Sequence, residues 1–491
     1  MQDDSKKLNL YQTFAEMAKV ISSTMGPEGR FTALVSNGTN MITKDGATVA
    51  EAMSSMGSLN INEILCASLL KDITSSANRL GDGTTTATAL ASAMISYLTE
   101  DLTKTVKRSE ELLKEKEAVI EAIKNKSVRS DHLLEHVIAT AGHPSTNKLV
   151  AEGLRYSKNI TVSRGALGDF DELDVRDGIY IEADVIPDFS NIFSMEKTLF
   201  LLLEGDLTRT GDLDIILRQA LQDSPTKGNV VIMARGFSDE VVHLMLDLEA
   251  RSNVKVLPVV APWKGVKVRE SFYRDLCALT SAKSIKVEDL ERSLSPQHFG
   301  QTDIESSVNS ITLTNTAIDK EETNKRMDAI FKEMPTVSNA KLRELEARLG
   351  LYTGKASIVK VGGKTLSDQM EKLVRTQDAA SSGKAFLNGG AIKGGGVGII
   401  TATNGLKGKL PELLETPFRV ILENAKVSED TIDELVSLLR NEDLEEVYID
   451  VPKGILEHGK GDVWDSTEVI ISSIEAAVSL AVTLSRVESL I

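Results

Sequence analysis

Gly81-Asp82-Gly83-Thr84-Thr85-Thr86-Ala87-Thr88 sets two glycines, one carboxylate and three consecutive hydroxyls directly before an apolar helical pattern over 89–98. The stretch reads as an anion cradle. Glycines let backbone approach a ligand closely, and the first turn of a helix offers unpaired N–H groups at the positive end of its dipole. That combination suits a phosphate. Asp82 would repel a phosphate by itself, so in such a loop its role is to hold a hard cation, Mg²⁺, that bridges to the phosphate oxygens. Plain helix capping by Asp or Thr is the alternative reading of the same residues.

Outward from this loop, the chain divides by texture. Its 491 residues exceed what one hydrophobic core serves, so two or three domains are expected. Residues 8–25 carry apolar side chains at helical spacing and stop at Gly26-Pro27. Strands at 31–35 and 41–43 flank a hairpin-like Ser36-Asn37-Gly38, and the second runs into the turn Lys44-Asp45-Gly46. Residues 47–103 and 108–126 read as Ala-rich or amphipathic helices, followed by shorter helical stretches at 131–142 and 148–156. After strands at 160–162 and 173–175, residues 179–364 alternate apolar strands (199–203, 230–234, 254–260) with amphipathic helices (213–221, 239–250, 269–279). This is the α/β layer pattern, and it reads as a separate domain inserted into the chain. Gly178 and Gly362-Gly363 stand as hinges at its two edges. The charged run 319–349 reads as one solvated amphipathic helix, 366–387 as another helix, and 399–491 as a return to helices.

Composition narrows the function. A net charge of −16 argues against a nucleic-acid or anionic-membrane partner. No apolar run reaches the ~18 residues of a membrane span, and the N-terminus lacks a signal peptide's apolar core, so a cytoplasmic protein is expected. The two cysteines, Cys66 and Cys277, offer neither a disulfide framework nor zinc spacing, and the six histidines form no HExxH pair.

Five separated segments together resemble the group I chaperonins, the ring-forming ATP-dependent folding machines of bacteria and organelles. Thr24-Met25-Gly26-Pro27-Glu28-Gly29-Arg30 looks like that family's phosphate turn, and Ile42-Thr43-Lys44-Asp45-Gly46 looks like its ITKDG segment. The stretch 81–88 matches its GDGTTTAT signature without a change. Asp378 precedes Gly394-Gly395-Gly396 by the family's spacing from catalytic aspartate to glycine triplet, and Asp465 in Gly461-Asp462-Val463-Trp464-Asp465 falls where a nucleotide-contacting aspartate belongs. By periodicity alone Asp378 would be a solvent-facing residue of a polar helix, and Asp465 a cap for a helix beginning near Thr467.

The resemblance implies a multidomain α + α/β subunit. A mostly helical equatorial ATPase domain would take 1–126 and 389–491, a small intermediate hinge domain 127–177 and 364–388, and an inserted α/β apical substrate-binding domain 178–363. It implies ATP, Mg²⁺ and K⁺ as cofactors. Thr24, Met25, Gly26, Pro27, Lys44, Gly83, Thr84, Thr85, Thr86, Gly394, Gly395 and Asp465 would surround the nucleotide. Thr24 and Lys44 would offer backbone oxygens to K⁺, and Asp82 would bind Mg²⁺. Asp45 and Asp378 would be catalytic, the latter delivered by hinge closure. Non-native client proteins would bind apolar side chains of apical helices, by position Leu213 and Ile216, Val242 and Leu246, with Phe189 before them. Homo-oligomeric, seven-membered rings are implied, and a co-chaperonin is left open.

Departures from the family mark a divergent member, of the kind a virus or an unusual bacterium carries. Asp184 and Asp188 stand where aromatic rings are usual, Ile449-Asp450-Val451 replaces an Asn-Ala-Ala stretch near the adenine, and Ser489-Leu490-Ile491 ends the chain without a Gly-Met-rich tail. Two other functions fit the cradle. A ring-forming nucleotide-binding scaffold would turn over little ATP, and a small-molecule kinase would form no large oligomer.

Overall fold

The structure is a computed structural model that describes residues 2–36, 39–55, 60–77, 82–158, 160–168, 170–186, 189, 194–223, 229–251, 254–263, 265–307, 310–333, 339–352, 354–441, 447–458 and 463–486. Gly81, Gly461 and Asp462, the hairpin residues Asn37 and Gly38, Asp188, and Ser489-Leu490-Ile491 lie outside them. The chain forms two compact units, one from Met1–Ala151 with Leu366–Ile491 and the other from Glu152–Thr365. Each keeps its own core.

The discontinuous unit is helical. Its core helix is Thr467–Ser485, which packs against Thr84–Thr99, Thr105–Lys126 and Ile61–Ala77, while Gln2–Ser22 lies along Thr84–Thr99. By length and composition alone Thr467–Ser485 could cross a bilayer. Here Ile470, Ile474, Val478 and Ala481 are buried instead among Phe14, Leu90, Met94 and Ile120. A second cluster, with Val397, Phe418, Leu439 and Ile449, holds the helices Val397–Ala402, Thr416–Asn424 and Glu429–Asn441 together. The stretch expected to be wholly helical after 399 also contains the hairpin Val447–Asp450 with Ile455–His458, and the strand Trp464–Ser466. These runs, three or four residues each, are too short to register as strands by pattern.

The continuous unit holds two sheets. In the smaller, the strand Lys355–Gly363 pairs parallel with Ile160–Leu167 and antiparallel with Glu172–Asp177. Gly362 and Gly363 thus lie within a strand, and Gly178 sits between Glu172–Asp177 and Ile179–Ile181, where its N–H donates to the Gly354 carbonyl (3.1 Å). The larger sheet centres on the parallel strands Ser194–Glu204, Asn229–Ala234 and Lys255–Val260, crossed over by the helices Thr210–Asp223 and Asp239–Arg251. Antiparallel strands Phe299–Ser307, Ser310–Thr314 and Ile179–Ile181 extend it beyond Ser194–Glu204.

Two expectations are corrected in this unit. The charged run is two helices, Lys320–Glu333 and Asn339–Tyr352, and they are not simply solvated. Arg326 (Nε, 2.8 Å), Arg348 (Nε, 2.5 Å) and Tyr352 (Oη, 2.7 Å) all donate to the fully buried carboxylate of Asp275. The apical apolar stripe is the second correction. Phe189, Leu213 and Ile216 are completely buried in the sheet core, because their helix and loop face the strands. Val242 and Leu246 pack against the same core and stay partly exposed.

Candidate functional site: two helix N-termini and a carboxylate-bearing helix

The loops read as phosphate turns meet in the discontinuous unit. Gly83 is the N-cap of Thr84–Thr99 at φ +89°, a conformation that disfavours any side chain, and a Cβ there would meet Ser473 Oγ at 2.4 Å and Val469 Cγ1 at 2.9 Å. No side chain caps this helix, so the N–H groups of its first turn have no partner within it. The capping alternative for this loop therefore fails. Beside it begins the helix Gly46–Ser54. A Cβ on Gly46 would lie 2.5 Å from Thr85 Oγ1 and 3.4 Å from Thr84 Oγ1, so the two N-termini abut. Aligned peptide dipoles there favour negative charge.

Asp45 caps the second helix, accepting from the Thr48 N–H (2.7 Å), the Ala47 N–H (3.3 Å) and the Thr48 hydroxyl. The neighbouring Lys44 turns the other way. Its ammonium donates to the Pro27 carbonyl (3.2 Å) and lies 4.9 Å from the Phe31 ring centroid, tying this turn to 24–30. Within that turn Gly26 takes φ +82°, and Asn424 donates to the carbonyls of Ser22 (3.1 Å) and Met25 (3.0 Å). Thr24 and Met25 are buried and Pro27 is exposed. Sequence reading missed Asn424, which has no neighbouring signal in the chain.

Asp82 and Asp378 complete the centre. One Asp82 oxygen accepts from the Gly83 N–H (2.6 Å) and the other from the Ser382 hydroxyl (2.7 Å). Asp378 sits seven residues after Glu371 and four before Ser382 on the helix Leu366–Gly389. Burial, then the charges of Asp45 and Asp82, push its carboxyl well above the ordinary range, opposed by Arg375. Asp82 is raised by burial too, and its hydrogen bonds and Arg375 pull it down. These carboxylates therefore feel one another, with one nearby guanidinium.

The glycine triplet and Asp465 form the adjoining wall. Ala391–Lys393 pairs antiparallel with Trp464–Ser466, placing Asp465 opposite Ile392. A Cβ on Gly394 would meet Val463 Cγ1 at 2.7 Å, and one on Gly395 would meet Ile449 Cγ2 at 3.1 Å. Ile449 and Val451 are buried in the second cluster. Ser466, not Asp465, is the N-cap of Thr467–Ser485. The Asp465 carboxyl instead takes the Gly395 N–H, and burial followed by the charge of Asp82 pushes it up to about 7.

Could these residues hold Mg²⁺? Among the described residues no group of three or more His, Cys, Asp or Glu side chains is disposed to cage a metal. Mg²⁺ is usually held by one or two carboxylates plus phosphate oxygens, not by an all-protein cage. Asp82, fixed by two hydrogen bonds and raised by burial amid other carboxylates, fits that use.

Comparison with known proteins follows this geometry. A family model for the TCP-1/cpn60 chaperonin family matches residues 17–162. The chaperonin gp146 from the bacteriophage EL 2 (Pseudomonas aeruginosa), solved in the presence of ATP-BeFx, is similar in structure in two crystal forms. One gives a TM-score of 0.66 at 19% identity and the other 0.59 at 17%, each covering 98% of this chain and 96% of that one. A group III chaperonin in the open state gives 0.55 at 17% identity and covers 99% of both chains. The fold is that of a chaperonin subunit.

Proposed function

We propose that this chain is an ATP-hydrolysing chaperonin subunit that assembles into rings and acts on non-native proteins. The observation that carries the proposal is that the helix bearing Asp378 is hydrogen-bonded through Ser382 to Asp82 and through Glu371 to Thr43, two residues before Asp45, at two abutting helix N-termini. Sequence resemblance points to group I, while the similar structures are a phage chaperonin and a group III chaperonin. The catalytic reading is common to either grouping. We retain the three-part division of the subunit, a cytoplasmic location, and client binding on the half-exposed Val242 and Leu246 as parts of this proposal.

In this reading the first-turn N–H groups of Thr84, Thr85 and Thr86 and the turn at Gly26 receive phosphate oxygens. Gly394, Gly395 and Asp465 border the nucleoside. Bound at Asp82, Mg²⁺ would neutralise phosphate charge and orient the leaving oxygens. Backbone oxygens of Thr24 and Lys44 are offered to K⁺, an assignment resting on the resemblance. Asp45, its carboxylate anchored by the helix cap, orients the attacking water. Asp378 takes the proton. Positioning and electrostatics do most of the work in phosphoryl transfer, so the helix that sets Asp378 also sets the rate.

ATP turnover by the purified protein and by Asp378→Ala, with ATP binding measured in parallel, tests the reading. The parent should hydrolyse ATP, and the variant should bind it while losing about 10²-fold or more in kcat, the scale of a lost general base. If neither protein turns ATP over, the low-turnover scaffold is the better description.

A further inference from the structure

Glu371, Arg375, Asp378 and Ser382 follow one another at i, i+4, i+7 and i+11 along Leu366–Gly389. At 100° per residue they share a face within about 60° of arc and about 16 Å of length. The proposed mechanism uses only Asp378. Its two outer companions are each bonded to a different loop of the site. The Thr43 hydroxyl donates to Glu371 Oε2 (3.1 Å), and the Ser382 hydroxyl donates to Asp82 Oδ2 (2.7 Å). Both bonds join segments 300 or more residues apart in sequence, so neither is a product of local helix geometry. The Thr43 oxygen also accepts the Asp45 N–H (3.0 Å), which leaves the hydroxyl proton for Glu371. Ser382 is buried and Glu371 half-buried, so both bonds are sheltered from competing water. Arg375 lies between them, and its charge acts on Asp82, Glu371 and Asp378 alike.

We infer that Glu371 and Ser382 are positioning residues that dock this helix on the Lys44-Asp45 turn and on the Asp82 loop, and so set Asp378 from both sides. The inference rests on the catalytic reading above. A base held by a single tether could swing, whereas tethers one and two turns away on either side restrict both tilt and rotation. Misplacement by about 1 Å can cost on the order of 10²-fold in rate.

The test compares full-length parent, Ser382→Ala, Glu371→Ala and the conservative Glu371→Gln, whose amide oxygen can still accept from Thr43. Two quantities are read: kcat and KM for ATP with Mg²⁺, and amide hydrogen exchange across 366–389 without nucleotide. Both alanine variants should lose about tenfold or more in kcat, with KM within about twofold, the signature of an interaction needed only in the transition state. Exchange in the helix should quicken, and Glu371→Gln should restore both readouts. Parent-like kcat and exchange in the alanine variants overturns the inference, as does a raised KM at unchanged kcat. A parent without turnover defeats the catalytic reading instead, and unchanged exchange then defeats docking separately.

Discussion

Asp465 shows how the site sets its own residues against the stability of the fold. Burial and the charge of Asp82 raise its carboxyl to about 7, whereas an Asp in an unfolded chain titrates near ~3.9. Between those values the folded protein keeps a proton that the unfolded chain has released. Stability therefore falls as pH rises from about 4 to 7, and the full cost is present above that window. Asp465→Asn removes the cost and keeps an oxygen for the Gly395 N–H. Its melting temperature in the nucleotide-free protein should exceed the parent's by several degrees at pH 8 and match it near pH 4. An equal shift at both pH values would refute this account. Residue-level legibility was uneven for a related reason. Spacing to the glycine triplet singles out Asp378, which periodicity would leave facing solvent, and in the structure burial and the charges of Asp45 and Asp82 act on it. Glu371 and Ser382 carry no comparable signal, because the helix Leu366–Gly389 bears polar residues on every face. Leu213 and Ile216 misled because an apolar helical stripe looks the same whether it faces a client or a sheet.

Elements with strong periodicity were placed well from sequence, and hydroxyl-rich ones were not. Phe299–Ser307 and Ser310–Thr314 carry too many hydroxyls to stand out as apolar strands, yet both are inner strands of the large sheet. Most of their buried hydroxyls are tolerated because they find partners, although Thr314 Oγ1 has none. Thr302 donates to the Thr314 carbonyl (2.9 Å), Thr161 and Thr312 bond at 2.7 Å, and Ser307 and Ser310 at 2.8 Å. The pair Lys320–Glu333 and Asn339–Tyr352 shows the opposite error, since charge suggested solvent where Asp275 gathers two guanidiniums. Removing one partner of a buried ion cluster leaves the others uncompensated. Asp275→Ala should therefore cost about 3–5 kcal/mol in the continuous unit. Thermal unfolding checks this, and a loss under ~1 kcal/mol, the scale of an exposed pair, would mean that the cluster is not what fastens these helices.

For the whole molecule the decisive observable is assembly. A ring-forming subunit should elute at many times the mass of one 491-residue chain. Light scattering on the eluting peak checks this directly, and a monomer that still bound ATP would favour the small-molecule kinase. The α/β texture over 179–364 marks an insertion in the sequence, whereas the continuous unit already begins at Glu152, because the strands Ile160–Leu167 and Glu172–Asp177 pair with Lys355–Gly363. That discontinuity matters during synthesis. The helix Thr84–Thr99 buries its face against Thr467–Ser485, and the Ser473 hydroxyl donates to the Gly83 carbonyl (3.1 Å). A ribosome adding roughly 5–20 residues per second needs on the order of 20–80 s to pass from the first helix to the second. Throughout that interval the nascent N-terminal helices expose an apolar face whose partner has not been translated, so this chain would itself be an aggregation-prone folding client until Thr467–Ser485 emerges.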